Sequence, residues 1–140
     1  MSVIPAGAFG ERVARRLRES YVAWLTTVGA DGTPQPNPVW FLWDGDASVL
    51  VYNRRDANRL PHVAARPQVA LHLDGNGQGG DIVVLAGTAR RDDSAPPPHE
   101  NPEYVAKYGD GMARVSGSLE DFTEQYPVPL RIEIRRIRGH

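Results

Sequence analysis

Apolar residues recur along this chain with two periods, and the switch from one to the other divides it into elements. Phe9, Val13, Leu17 and Tyr21 return every four residues, while Glu11, Arg12, Arg15, Arg16 and Glu19 take the other side. That spacing predicts an amphipathic helix over about 9–20. From Ala23 to Asp44 the period drops to two. Two extended runs flank Gly29-Ala30-Asp31-Gly32, and Asp-Gly between alternating runs signals a hairpin because glycine takes positive φ without steric cost. The second arm places Val39, Phe41 and Trp43 on one face and Trp40 and Leu42 on the other. Both faces therefore need cover, as in the wall of a barrel, with the first helix plugging an open end.

Downstream, Ser48 to Asn53 is a third antiparallel strand of β-branched and aromatic residues, continuing a meander. A short helix is predicted from about Asn58 to Ala65, with Pro61 in the first turn, where a missing N–H removes no intrahelical bond. Strands follow over Gln68–Asp74 and Asp81–Arg90. The glycines between them, Gly75-Asn76-Gly77-Gln78-Gly79-Gly80, match G-x-G-x-x-G spacing. A dinucleotide fingerprint has to open a helix, however, and a strand-like run follows here, so the segment is a hairpin turn. The proline-rich stretch Asp92–Glu100 is a surface loop. Asn101-Pro102-Glu103 then starts a helix ending at Gly109, and Ser118 starts another carrying Leu119, Phe122 and Tyr126 on one face. A last strand, Leu130–Ile137, alternates Leu130, Ile132 and Ile134 with Arg131, Glu133 and Arg135, and is predicted to close the barrel.

Composition narrows the possible partners. At 140 residues the chain forms one domain over 1–140, with the barrel spanning about 21–138. A net charge of −1 gives no footprint for nucleic acid and no basic block for a membrane surface. There is no cysteine, no apolar leader run at the N-terminus and no span of transmembrane length, so the expected compartment is the cytoplasm. Lys107 is the one lysine against 15 arginines, a bias that weakens any argument from arginine richness alone.

Candidate chemistry gathers in the polar turn after the third strand, at Asn53, Arg54, Arg55, Asn58 and Arg59. Arginine forks at a helix start suit a phosphate; the same residues also suit an ordinary solvated helix start, and the pattern alone does not choose. His62, His72, His99 and His140 lack any paired metal spacing. Ser116-Gly117-Ser118 lacks the nucleophile-elbow pattern. Tyr104 and Tyr108 are assigned to packing rather than proton transfer.

With those pieces placed, the chain resembles the pyridoxamine 5′-phosphate oxidase-like split β-barrel family, particularly its actinobacterial branch associated with the deazaflavin coenzyme F420. The resemblance lies in Trp24-Leu25-Thr26-Thr27-Val28, in Asp31-Gly32-x-Pro34 followed by Pro38-Val39-Trp40-Phe41, and in the turn and helix leading to Arg66-Pro67-Gln68-Val69-Ala70-Leu71. It continues through Gly80-Asp81-Ile82-Val83-Val84 and Gly87-Thr88-Ala89 to Arg138-Gly139-His140. It implies a mainly β fold, a six-stranded antiparallel split β-barrel of the FMN-binding type with short helices, in a homodimer whose two cofactor sites lie between the subunits. By the same resemblance Pro38, Val39 and Trp40 line the ring system, and Tyr52, Asn53 and Arg54 approach the ribityl and phosphate portions. Asn58 and Arg59 fall where the family has a helix-start basic residue, commonly lysine, and arginine alters reach and geometry there. The implied activity is F420-dependent hydride transfer with a small organic acceptor, with no catalytic side chain or metal assigned. The alternatives are an FMN-dependent oxidase or reductase on the same fold and a non-catalytic flavin or deazaflavin carrier.

Overall fold

The computed structural model describes residues 3–140. Helix α1 (Gly7–Glu19) precedes strands β1 (Ala23–Val28), β2 (Pro34–Val39), β3 (Leu42–Trp43) and β4 (Ser48–Asn53). Helix α2 (Arg59–Ala65) leads into β5 (Gln68–His72) and β6 (Val83–Arg91), then α3 (Pro102–Ser116), α4 (Leu119–Gln125) and β7 (Val128–Gly139). The strands form one seven-stranded antiparallel sheet in the order β2-β1-β5-β6-β7-β4-β3. Two expectations are corrected here. The sheet has seven strands rather than six and stays open as a half-barrel, and the helices hold nearly as many residues as the strands, so the fold is mixed α/β.

The first hairpin forms as its turn chemistry dictates, with Gly32 at φ 85° and the Asp31 carboxylate accepting from the Thr33 N–H at 3.0 Å. Its second arm does not continue as one strand. β2 pairs with β1 at one edge of the sheet, and after Trp40 and Phe41 the chain resumes as β3, which pairs with β4 at the opposite edge. Edges separated by five intervening strands are thus joined by two residues. With about 3.8 Å per Cα step, the sheet has to curl until its edges nearly meet. Nor do the strands run as a simple meander. β7 lies inside the sheet, between β6 and β4, and joins its two halves rather than closing a ring.

Side-chain alternation places one core on each side of β4, all six of whose residues are buried. Val49 and Val51 join Leu25, Phe41, Leu71, Leu85, Leu130 and Ile132 within the curl, and Val13 and Leu17 of α1 cover them. The salt bridges of Arg12 and Arg16 to Asp81, 2.6 and 2.5 Å, fasten that helix to the turn before β6. Leu50 and Tyr52 face the other way, into a cluster with Tyr104, Tyr108, Met112 and Phe122. Each such burial contributes roughly 1.5–3 kcal/mol. Trp40 and Leu42 pack on this second cluster, so the chain itself covers both faces of the Val39–Trp43 segment.

Helix α3 outruns its expected end at Gly109 and stops at Ser116, with Gly117 beyond it at φ 96°. A second internal glycine explains the continuation. A Cβ on Gly111 would collide with the Tyr21 hydroxyl and lie 2.9 Å from the Trp40 ring, so its absence lets two aromatics close on the helix. That packing offsets the ~1 kcal/mol a helical glycine costs. The glycine turn before β6 is a turn, as expected, closed by the Asn76 side-chain Oδ1 accepting from the Gln78 and Gly80 N–H groups.

Candidate functional site

Where the chain crosses from one sheet edge to the other, Phe41 has no ladder partner, and its buried polar backbone has to be satisfied otherwise. Helix α3 does this. The Phe41 N–H donates to the Tyr108 hydroxyl at 2.9 Å. That hydroxyl lies 2.7 Å from the carbonyl oxygen of Tyr21 and 3.0 Å from that of Phe41, the two acceptors within reach of its one proton, Tyr21 the nearer. Lys107 Nζ donates to the Phe41 carbonyl at 3.0 Å and sits 3.9 Å above the Phe41 ring. Burial lowers the Lys107 pKa to about 8. Tyr108 is therefore more than a packing residue, because its hydroxyl holds the crossover in place.

The crossover positions Trp40. Its indole stacks on Tyr108 at 4.8 Å between centroids with an interplanar angle of 7°, and on Phe122 at 5.6 Å. Phe122 stacks in turn on Tyr126 at 4.6 Å. The Trp40, Phe122 and Tyr126 rings, with Tyr104 and the exposed Val115, wall a cleft of about 360 Å³ beside the split in the sheet, and Tyr108 backs Trp40 from within the core. Such a volume falls within the usual range for small-molecule sites. Seven of the eight residues expected at the site line it: Pro38, Val39 and Trp40 on one side, Tyr52, Asn53, Arg54 and Arg59 on another. Asn58 does not. It is exposed at the start of α2, in helical conformation, with no side-chain hydrogen bond to the helix.

The polar end of the cleft is built differently from the expected helix-start cradle. Helix α2 has only seven residues, so its dipole adds little, and the charge comes from two guanidinium groups. Arg54 is exposed and lies 4.9 Å over the Tyr126 ring. Arg59 is half-buried and donates to the Asn53 side-chain oxygen at 2.6 Å. The Asn53 amide in turn donates to the carbonyls of Val51 and Val128, both at 3.0 Å, tying β4 to β7. Burial lowers the Arg59 pKa, but arginine starts so high that the charge persists. Arg59 therefore bears on the fold as well as on the cleft, through its bond to Asn53. Among the described residues, no carboxylate, histidine or lysine lines the cleft.

Its chemistry follows from this layout. One end offers fixed positive charge and planar donors, the rest a set of flat apolar rings, and Tyr52 is committed to the Pro96 carbonyl at 2.5 Å and to the Asn101 amide at 3.1 Å. A planar heteroaromatic group carrying a phosphate or carboxylate fits that donor set. Ala57, Tyr104, Val115, Phe122 and Tyr126 also line the cleft and were not assigned to it from sequence. The signal for Phe122 and Tyr126 was their shared face at four-residue spacing, which packing alone also explains. Elsewhere, no group of histidine and carboxylate side chains among the described residues could hold a metal. His62 instead bonds Thr27 at 3.1 Å and His99 bonds Thr123 at 2.8 Å. No described helix is long and apolar enough to cross a membrane.

An open antiparallel half-barrel with a cleft at its split defines a split-barrel protein. The chain belongs to the pyridoxamine 5′-phosphate oxidase family, whose sequence profile matches residues 9–136. Solved structures of the same fold include an F420 reductase, with TM-score 0.70 and 20% identity over 98% of this chain and 100% of that one. General Stress Protein 26 from Bacillus anthracis gives TM-score 0.67 and 20% identity, covering 91% of this chain and 89% of its own. The heme storage protein HutZ from Vibrio cholerae gives TM-score 0.65 and 12% identity, with 92% of each chain covered. At these identities the likeness is one of fold. A search of curated protein sequences finds no match.

Proposed function

We propose that the cleft binds a phosphate-bearing deazaflavin and that the protein is an F420-dependent oxidoreductase acting on a small organic acceptor. The observation that carries this reading is the polarity of the cleft, with Arg54 and Arg59 at one end and the rings of Trp40, Tyr104, Phe122 and Tyr126 along the rest. The arginines would hold the phosphate through charge-assisted hydrogen bonds. The aromatic wall would orient the ring system and keep water from one face. The deazaflavin, when bound, supplies the hydride chemistry. An F420 reductase among the proteins of this fold is consistent with this reading.

FMN carries the same kind of phosphate and flat ring system and is the alternative cofactor. A non-catalytic carrier is the second reading, and one feature favours it. None of the described residues that line the cleft is a carboxylate, histidine or lysine, so that lining offers an acceptor no proton donor that titrates near neutral pH. Fluorescence titration with F420 and with FMN, followed by turnover of the reduced cofactor with candidate acceptors, separates the three. Tight F420 binding with turnover supports the leading proposal, F420 binding without turnover supports the carrier, and failure to bind either cofactor refutes both.

A homodimer, which the family resemblance implied, belongs to the same proposal, and a half-exposed apolar face supports it. Trp40 and Leu42 are already covered within the chain. The uncovered apolar surface is instead the outer face of β1, β5 and β6. There Trp24, Thr26 and Val28 lie beside Ala70, Val84 and Ala86, each half-exposed between fully buried neighbours. A second copy packed on this face buries it. A monomeric mass by light scattering across the micromolar range refutes the dimer.

A further inference from the structure

Strand β2 reads Pro34-Gln35-Pro36-Asn37-Pro38-Val39, with proline at every second position. In an antiparallel ladder the N–H and C=O of one residue point to the same side, and successive residues point to opposite sides. The phase is set at the turn, where the Gly29 N–H donates to the Thr33 carbonyl at 3.0 Å. Counting on from that bonded pair through the register, Gln35, Asn37 and Val39 direct their backbone groups to β1 opposite Thr27, Leu25 and Ala23. Pro34, Pro36 and Pro38 direct theirs outward, away from the sheet. All three prolines are exposed, and β2 is a terminal strand of the sheet.

The outer edge of β2 therefore presents three carbonyl acceptors and, at those positions, no donor at all. Proline costs the ladder nothing at an outward position, which explains why it is tolerated there. Tolerance does not explain its presence at all three, since valine or threonine suits a strand better. An incoming strand needs alternating donors and acceptors, and a row of acceptors alone cannot provide them. At the opposite edge β3 is only two residues long, too short to template a partner.

We infer that β2 is a strand-excluding edge: its prolines bar a second copy of this chain from adding to the sheet edge to edge, and confine contact between copies to sheet faces. The inference rests on backbone register and is independent of which cofactor the cleft takes.

The test restores donors without touching the cleft, so Pro38 is left in place. Pro34→Thr/Pro36→Thr adds two outward N–H groups. Gln35→Thr/Asn37→Thr adds the same two threonines where the N–H already faces β1, and controls for strand propensity. Weight-average mass is measured by light scattering from micromolar to millimolar protein, with thioflavin fluorescence followed alongside and folding checked by circular dichroism. The proline variant is expected to grow beyond the mass of the parent, at least about doubling it at the highest concentration, while the control follows the parent. If the double variant does not fold, Pro36→Thr alone carries the comparison, with a smaller increase. A folded proline variant whose mass tracks the parent throughout overturns the inference, as does a control that associates equally.

Discussion

Tyr108→Phe isolates one hydroxyl in a residue that is 0% exposed. The ring remains, and with it the stack on Trp40 at 4.8 Å. The Phe41 N–H loses its acceptor and has no ladder partner to fall back on, while the Tyr21 carbonyl loses a donor at 2.7 Å. The Phe41 carbonyl keeps Lys107. Stranding a buried donor costs about 1–3 kcal/mol and losing an ordinary hydrogen bond about 1, so the variant should lose roughly 2–4 kcal/mol. For a chain of this size each kcal/mol lowers Tm by roughly 3–4 °C, giving a fall of about 6–16 °C. Urea unfolding with unchanged m-value is the assay. Tyr104→Phe is the control, equally buried at 1% exposure but with a hydroxyl that makes no hydrogen bond among the described residues. F420 affinity should fall with Tyr108→Phe as well, because the crossover carries Trp40 into the cleft. If Tyr108→Phe costs no more than Tyr104→Phe, or less than about 0.5 kcal/mol, the hydroxyl does not hold the crossover.

The two cleft arginines should separate binding from folding. Arg54→Ala is expected to weaken F420 binding by roughly tenfold or more while leaving Tm within a degree or two, and Arg59→Ala to weaken binding and also cost about 1–3 kcal/mol, since it strands the Asn53 oxygen; equal affinity with Arg15→Ala in both would place the phosphate elsewhere. Two glycines on α3 should respond with opposite signs. Gly109→Ala, where a Cβ would meet only Val105 at 3.3 Å, should stabilise by up to about 1 kcal/mol, whereas Gly111→Ala should destabilise because it drives Trp40 and Tyr21 apart from the helix, both read by thermal melts. Asp92, hydrogen-bonded by Ser94 and paired with Arg131 at 2.7 Å, has its pKa lowered to about 2. A depressed carboxylate stabilises the fold above its unfolded pKa near 4 and loses that contribution as pH falls toward 2, so parent and Asp92→Asn should converge in urea midpoint over that window.

Much of the architecture was legible because local chemistry and packing agreed. The Asp31-Gly32 turn, the buried run Ser48–Asn53, the Asn101 and Ser118 caps and the glycine turn before β6 all form where expected. The break between β2 and β3 was not legible. Val39, Phe41 and Trp43 enter the same core on either side of it, so side-chain alternation runs on unbroken while the backbone changes partner strands. Periodicity reports which way a side chain points and is silent on which strand its backbone bonds. The end of α3 was misjudged because Gly109 signals a stop by propensity, whereas the helix continues to bring Gly111 against Trp40. Seven of the eight expected cleft residues fall on β2, the crossover, β4, the adjoining turn and the first residue of α2, which the family resemblance covers. The α3 and α4 wall was missed because residues that line a cleft and residues that fill a core share the same helical spacing.

The interior position of β7 also sets the order of events during synthesis. Its partners Ser48–Asn53 and Val83–Arg91 are made well before it, and Ser48 waits for Glu133. Until then β6 and β4 each present a full-length unpaired edge, and neither contains a proline to block intruders. Long-range pairing of this kind folds slowly and is exposed to aggregation while it does so. The period of greatest risk for this chain is therefore the interval before its seventh strand docks, when chaperone dependence and sensitivity to expression temperature should be highest.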